Sequence, residues 1–264
     1  MKFVIDERTA GRILVALDDS RQGFAALEVA AALAGQLRAE LHGLFIEDAS
    51  LLKLAALPNS QEVCFSVGTP RSLDAAALKR RLRAKAEEAR HLLEESASQA
   101  EVVHSFRVSQ GGLVHETLSD REVADVFVVG HQSRVTDVRS SSSKPPGYVE
   151  PVAAYCPNTV GGRRTLALAA RIAQADRLPV MLLFPDAQTA EDEEFAEQCR
   201  QWLEGQKIRV VTHDLAATSC ADLLRAARRS SSRLMLLALD SELLDEGAIE
   251  RLACEIGVPV VLVR

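Results

Sequence analysis

Aromatic side chains are scarce in this chain, at 4% of 264 residues. Its apolar content, 47% in all, therefore rests on Ala, Leu and Val, a composition that suits Ala-rich helices laid on short aliphatic strands. Cysteines are few and unpatterned. Cys64, Cys156, Cys199, Cys220 and Cys254 are odd in number, form no C-x-x-C pair and share no Cys/His cluster at metal spacing. That excludes a disulfide framework and a zinc ribbon, and it points to a reducing compartment. No run approaches the ~20 uncharged apolar residues of a membrane helix. The first residues reach Asp6 before a secretory h-region forms. A cytoplasmic protein with no membrane partner is expected.

A basic surface is missing as well. The net charge is −6, which argues against nucleic acid as a partner, because phosphate neutralisation needs concentrated Lys and Arg. The one basic segment, Lys79 to Lys85, runs on into Glu87, Glu88, Glu94 and Glu95 and reads as a solvated helix face. Catalytic signatures are also lacking. There is no G-x-S-x-G turn for a hydrolase nucleophile. His42, His91, His104, His115, His131 and His213 are scattered, and no two stand at i, i+4 on one helix. No catalytic residue and no metal ligand is assigned, and the chain is expected not to be an enzyme.

What is present is alternation. Ile13 to Leu17 is a short apolar run, Asp18-Asp19-Ser20 a polar turn with an N-cap, and Phe24 to Leu37 a helical period. Strands follow at Leu41 to Ile46, Val102 to Val108 and Val126 to Val129. They are separated by a short helix at Leu51 to Leu57, a long helix opening at Ser72, and a helix at Leu113 to Asp120. The segment Asn59 to Arg71 has no clear period. After Gly130 the pattern fails, and Arg134 to Gly147, with Ser140 to Ser143, Pro145 and Pro146, reads as a linker.

A second cycle then starts, with strands at Val152 to Cys156, Val180 to Phe184, Ile208 to Val211, Leu234 to Leu239 and Val258 to Val263. Its helices fall at Val160 to Ala175, Glu191 to Leu203, Ala221 to Arg229 and Glu242 to Ile256. Leu27 lines up with Leu166, and Ala30-Ala31 with Ala169-Ala170, so the halves read as copies of one unit. Strands that alternate with helices imply right-handed crossovers and a mainly parallel sheet. The predicted class is α/β: 1–133 as a first unit without its last helix and strand, 134–150 as linker, and 151–264 as a second, degenerate unit.

In this order the residues resemble the universal stress protein family in tandem form. The family's opening strand "ILVAVDGS" appears as Ile13-Leu14-Val15-Ala16-Leu17-Asp18-Asp19-Ser20. "AELHGLFIED" at Ala39 to Asp48, "ADVFVVG" at Ala124 to Gly130 and "PVVLVR" at Pro259 to Arg264 also resemble family segments. The resemblance implies two Rossmann-like units of adenine nucleotide alpha hydrolase type, with ligand outside the carboxyl ends of the strands. Nucleotide-binding members place an acid after the first strand and a G-x2-G-x9-G-S/T loop after the fourth. Asp18 and Gly130 match the acid and the first glycine. Ser133, Ser143 and Lys144 stand where the loop would have glycine, glycine and Ser/Thr.

Side chains at these positions obstruct the close backbone approach that a phosphate cradle needs. In the second half Asp18 is matched by Pro157, and Ala238-Leu239-Asp240-Ser241 replaces a glycine-rich loop. Gly161-Gly162 reads as a helix start rather than a phosphate turn, and Cys156 as a buried small residue. The expectation is a non-catalytic stress-response or regulatory protein that binds a protein or small-molecule partner without a cofactor. The alternative is an ATP-binding switch that uses Asp18, Gly130, Ser133, Ser143 and Lys144. Val258 to Val263 is expected to pair with a second chain in a homodimer, since the family's last strand commonly joins units.

Overall fold

The computed structural model describes residues 10–18, 21–58, 60–63, 70–119, 123–130, 149–187, 189–212 and 219–264. β1 (Arg12–Leu17) leads into α1 (Arg21–Leu37), and β2 (Glu40–Asp48) into the short α2 (Ala49–Ala55). An antiparallel hairpin of β3 (Gln61–Val63) and β4 (Pro70–Ser72) fills the segment in which the sequence has no period. Then come α3 (Ala75–Gln99), β5 (His104–Gly111), α4 (Leu113–Ser119) and β6 (Val126–Val129). The second cycle is β7 (Val152–Tyr155), α5 (Val160–Asp176), β8 (Val180–Leu183), α6 (Ala190–Gly205), β9 (Val210–Thr212) and α7 (Cys220–Ser230). It closes with β10 (Leu234–Ala238), α8 (Glu246–Ile256) and β11 (Val260–Val263). Most of the linker expected at 134–150 lies outside the described residues.

Local chemistry sets the element ends. α3 buries Leu78, Leu82, Ala86, Ala89, Leu93 and Ala97 at three-to-four spacing; the last four join the sheet core, and Leu78 and Leu82 pack with Ala55 of α2. Its cap is Asp74, whose carboxylate accepts the Ala76 N–H at 2.9 Å. Ser72 is the last residue of β4 and not the helix cap its hydroxyl suggested. α6 opens with a reciprocal box: Thr189 accepts the Asp192 N–H, and Asp192 accepts the Thr189 N–H. α8 begins at Glu246, later than its apolar period implies, because Asp245 caps it by accepting the Ala248 N–H.

The nine long-range strands form one sheet in the order β5-β2-β1-β6-β11-β10-β7-β8-β9. Pairing is parallel within β5-β2-β1-β6 and within β11-β10-β7-β8-β9. The direction reverses once, where β11 runs antiparallel to β6 with Val261 opposite Val128. This corrects the expectation that the last strand would join a second chain. β11 is hydrogen-bonded to β10 on one side and to β6 on the other, so it has no free edge to offer. The strand that would close the first unit is supplied by the second.

The halves superpose in register as well as in order. The pairing of Ile13 with Leu41 recurs as that of Val152 with Val180, a shift of 139 positions in both strands. α1 and α5 obey the same shift and end on left-handed residues, Arg38 and Arg177, both at φ 54°. Past α3 and α6 the left-handed pair is Glu101 and Lys207, a shift of 106. The difference, 33 residues, is the insertion that carries α2, the hairpin and a longer α3 in the first half.

Both faces of the sheet are covered, as parallel strands require. Ile13, Val15, Val128, Val152, Ala154 and Val261 contribute to the core under α1, α3, α5 and α6. Leu14, Ala16, Phe127, Ala153, Met235 and Leu262 face the core of α4, α7 and α8. α4 of the first half packs on α8 of the second, where His115 Nδ1 lies 3.0 Å from Glu246 Oε1.

Candidate functional site

Open parallel sheets bind ligands beyond the carboxyl ends of their strands. The single reversal at β6 and β11 gives this molecule two such edges, on opposite ends of the sheet. The first collects the ends of β1 and β6, where Ala16 pairs with Val129, so Asp18 and Gly130 leave adjacent strands side by side. Asp18 is half-buried and Gly130 buried. Ser133, Ser143 and Lys144, together with His131, lie outside the described residues.

α1 approaches this edge closely. A Cβ on Gly23 would lie 3.2 Å from Asp18 Oδ1 and 3.3 Å from the Asp18 carbonyl oxygen. The matching glycine in α5 is tighter: a Cβ on Gly162 would lie 1.8 Å from the carbonyl oxygen of Pro157, the residue that stands in for Asp18. Glycine in the first helical turn is thus what lets the helix start against the strand end in each half. Both glycines stand five residues after the strand-end residue, a correspondence carried by spacing and not by the paired leucines and alanines.

The second edge is filled by its own side chains. Thr159 caps α5, its Oγ1 accepting the Gly162 N–H at 3.0 Å. Asp240, two residues beyond β10, accepts the Gly161 N–H at 2.9 Å through Oδ2 and the Thr159 hydroxyl at 2.9 Å through Oδ1. A carboxylate therefore occupies the place where helix amides would hold a phosphate. Arg163 is equally engaged: it donates to the Thr159 carbonyl at 3.0 Å and to Asn158 Oδ1 at 2.9 Å, and its guanidinium lies 5.0 Å from the centre of the Phe195 ring. Gly161-Gly162 accordingly starts a helix, as the sequence implied. The signal missed there was Asp240 itself, a carboxylate at the strand end where only the missing glycines were counted.

The thiols near this edge are inert. Cys156 is fully buried, and burial pushes its pKa well above the ordinary range. Burial likewise pushes the Cys199 thiol up to about 12. Tyr155 is buried with its hydroxyl 3.4 Å from Ser241 Oγ, and desolvation raises its pKa. Among the described residues no group of three His, Cys, Asp or Glu side chains could hold a metal ion. Among them, too, no helix is long and apolar enough to cross a membrane.

The element order and the parallel strands covered by helices on both faces define a doubly wound, Rossmann-like α/β protein. No family model matches the chain, and no curated protein matches it. Among solved structures, a universal stress protein from Archaeoglobus fulgidus DSM 4304 aligns over 99% of this chain and 98% of its own, at 12% identity and a TM-score of 0.55. A putative universal stress protein from Pseudomonas aeruginosa UCBPP-PA14 aligns over 96% of this chain and 92% of its own, at 14% identity and a TM-score of 0.45. The first of these alignments, end to end, makes the particular fold that of the universal stress proteins.

Proposed function

We propose that this chain is a cytoplasmic stress-response or regulatory protein whose strand-end crevices recognise a protein or small-molecule partner and carry out no chemistry. Its two units span about 1–133 and 151–264. The observation that carries this reading is the Asp240 carboxylate on the Gly161 amide: a helix start already neutralised by an internal anion repels a nucleotide phosphate. Ala238, buried where the first half has Gly130, and Pro157, in place of Asp18, point the same way. In the first half the reading rests on the sequence, where serines and a lysine stand in place of the loop glycines.

A second reading has one observation in its favour. Asp18 and Gly130 follow adjacent strands at one edge, and a nucleotide switch would add Ser133, Ser143 and Lys144, which the sequence puts at the loop positions. Isothermal titration of the purified protein with ATP, AMP and cyclic AMP separates the two. The expected result is no binding at micromolar concentrations. Micromolar affinity for ATP that is lost in Asp18→Ala would establish the switch instead.

A further inference from the structure

The opposite end of the first half carries a cluster unrelated to either crevice. Glu40 and His42 are i, i+2 on β2 and so share one sheet face, and Ser105 stands beside His42 on the neighbouring strand β5. Ser105 Oγ lies 2.7 Å from His42 Nδ1, and Glu40 Oε2 lies 3.3 Å from His42 Nε2. The carboxylate in turn accepts from Arg12 Nε at 3.1 Å. Hydrogen bonds from His42 and Arg12 hold the Glu40 carboxyl below its usual pKa, so it is ionised at neutral pH.

An ionised carboxylate at Nε2 fixes the imidazole tautomer. Nε2 carries the proton and donates to Glu40, which leaves Nδ1 as the acceptor for the Ser105 hydroxyl. That is the arrangement by which a base activates a nucleophile and a third group orients the base. Nearby groups suit the chemistry. Ser105 is exposed on β5, the outermost strand of the sheet, and so open to a reagent. Arg107, two residues on, shares this face of β5 and is exposed. α4 covers this face only toward the other end of the strands, over Leu44 and Ile46.

We propose that Ser105, His42 and Glu40 form a nucleophilic relay that takes small activated carboxylic esters. Ser105 Oγ bonds to the acyl carbon while its proton passes to His42 Nδ1. The ester C–O bond then breaks, and the leaving alcohol collects that proton. Water, deprotonated in the same way, attacks the acyl-serine and returns the free hydroxyl. Ser105 and His42 are the catalytic residues, and Glu40 is a positioning residue. The proposal does not rest on the recognition role of the crevices, which stand at other strand ends.

Labelling of the folded protein with a fluorophosphonate tests this directly, because fluoride departs and a stable phosphonyl-serine remains. Intact mass and peptide mapping are expected to place one adduct on Ser105. The adduct should vanish in Ser105→Ala and form at least 100-fold more slowly in His42→Gln, the range a positioned base contributes. Glu40→Gln should slow labelling, and Glu40→Asp should recover part of the lost rate, because the imidazole needs a carboxylate at Nε2 to hold it toward Ser105. Hydrolysis of p-nitrophenyl acetate should fall in the same variants. No adduct, an adduct on another serine, or a rate indifferent to His42→Gln would overturn the proposal. Circular dichroism identifies any variant that fails to fold, and Ser105→Cys, alkylated faster than an exposed cysteine placed at Ser98, would then carry the test.

Discussion

The Arg264 guanidinium lies 3.3 Å from Asp125 Oδ1, so the residue after the last strand is tied to the residue before β6, where the two halves meet. Asp125 does more than pair with Arg264. Its Oδ2 accepts the N–H groups of Gly11 at 2.7 Å and Arg12 at 3.2 Å, and its backbone carbonyl accepts the Arg264 N–H at 3.0 Å.

Asp125→Ala is expected to lower stability by about 1–3 kcal/mol, chiefly because two backbone donors at the start of β1 lose their acceptor. Arg264→Ala, which removes a partly exposed ion pair, is expected to cost less than about 1 kcal/mol. Urea unfolding followed by circular dichroism checks both. Equal effects would mean that the ion pair, and not the backbone acceptor, holds the junction.

The glycine pair separates two kinds of close approach. Gly162→Ala would drive a Cβ to 1.8 Å from a backbone oxygen and is expected to cost more than about 3 kcal/mol or to prevent folding. At Gly23 the nearest atoms lie at 3.2 to 3.4 Å, and alanine recovers up to about 1 kcal/mol of helix propensity. Gly23→Ala should therefore stay within about 1 kcal/mol of the parent. Thermal melts of the two variants side by side measure the difference.

Removing the internal anion should uncover the site it fills. Asp240→Ala is expected to lose about 0.5–2 kcal/mol, the range for a lost helix cap or N-terminal charge. It should also become stabilised by millimolar phosphate or sulfate, which the parent is not. Melting temperature against phosphate concentration reads both effects.

The buried thiols set a limit at high pH. Cys156 and Cys199 keep their protons in the folded state above the ordinary thiol value of 9.0, whereas unfolded thiols lose theirs there. The unfolded state then binds fewer protons, so stability is intact below about pH 9 and falls as pH rises towards 12. The loss is about 1.4 kcal/mol per pH unit for each such thiol. Unfolding free energies at pH 8 and pH 11 check the sign, and double replacement of Cys156 and Cys199 by Ala should flatten the slope.

Much of this fold was legible locally. The aliphatic runs at Ile13, Leu41, Val126, Val152, Val180, Leu234 and Val258, each next to a helical period, gave the strand order of both halves its outline. The pairing of β11 with β6 was not legible, because Val260 and Val129 meet only through the folded sheet and an aliphatic strand looks alike whichever neighbour it finds. The hairpin β3 and β4 escaped because three-residue strands carry no usable period. Of the first-edge residues named from the sequence, Asp18 and Gly130 follow adjacent strands, which the aliphatic runs before them made legible. Asp240 went unrecognised because its role depends on the Gly161 amide, 79 positions away.

The single reversal of direction between β6 and β11 sends the carboxyl ends of β1 and β6 to one pole of the sheet and those of β7 and β10 to the other. Asp240 and Arg163 stopper the second pole from within. A change at either pole is joined to the other through β11, which is hydrogen-bonded to a strand of each half.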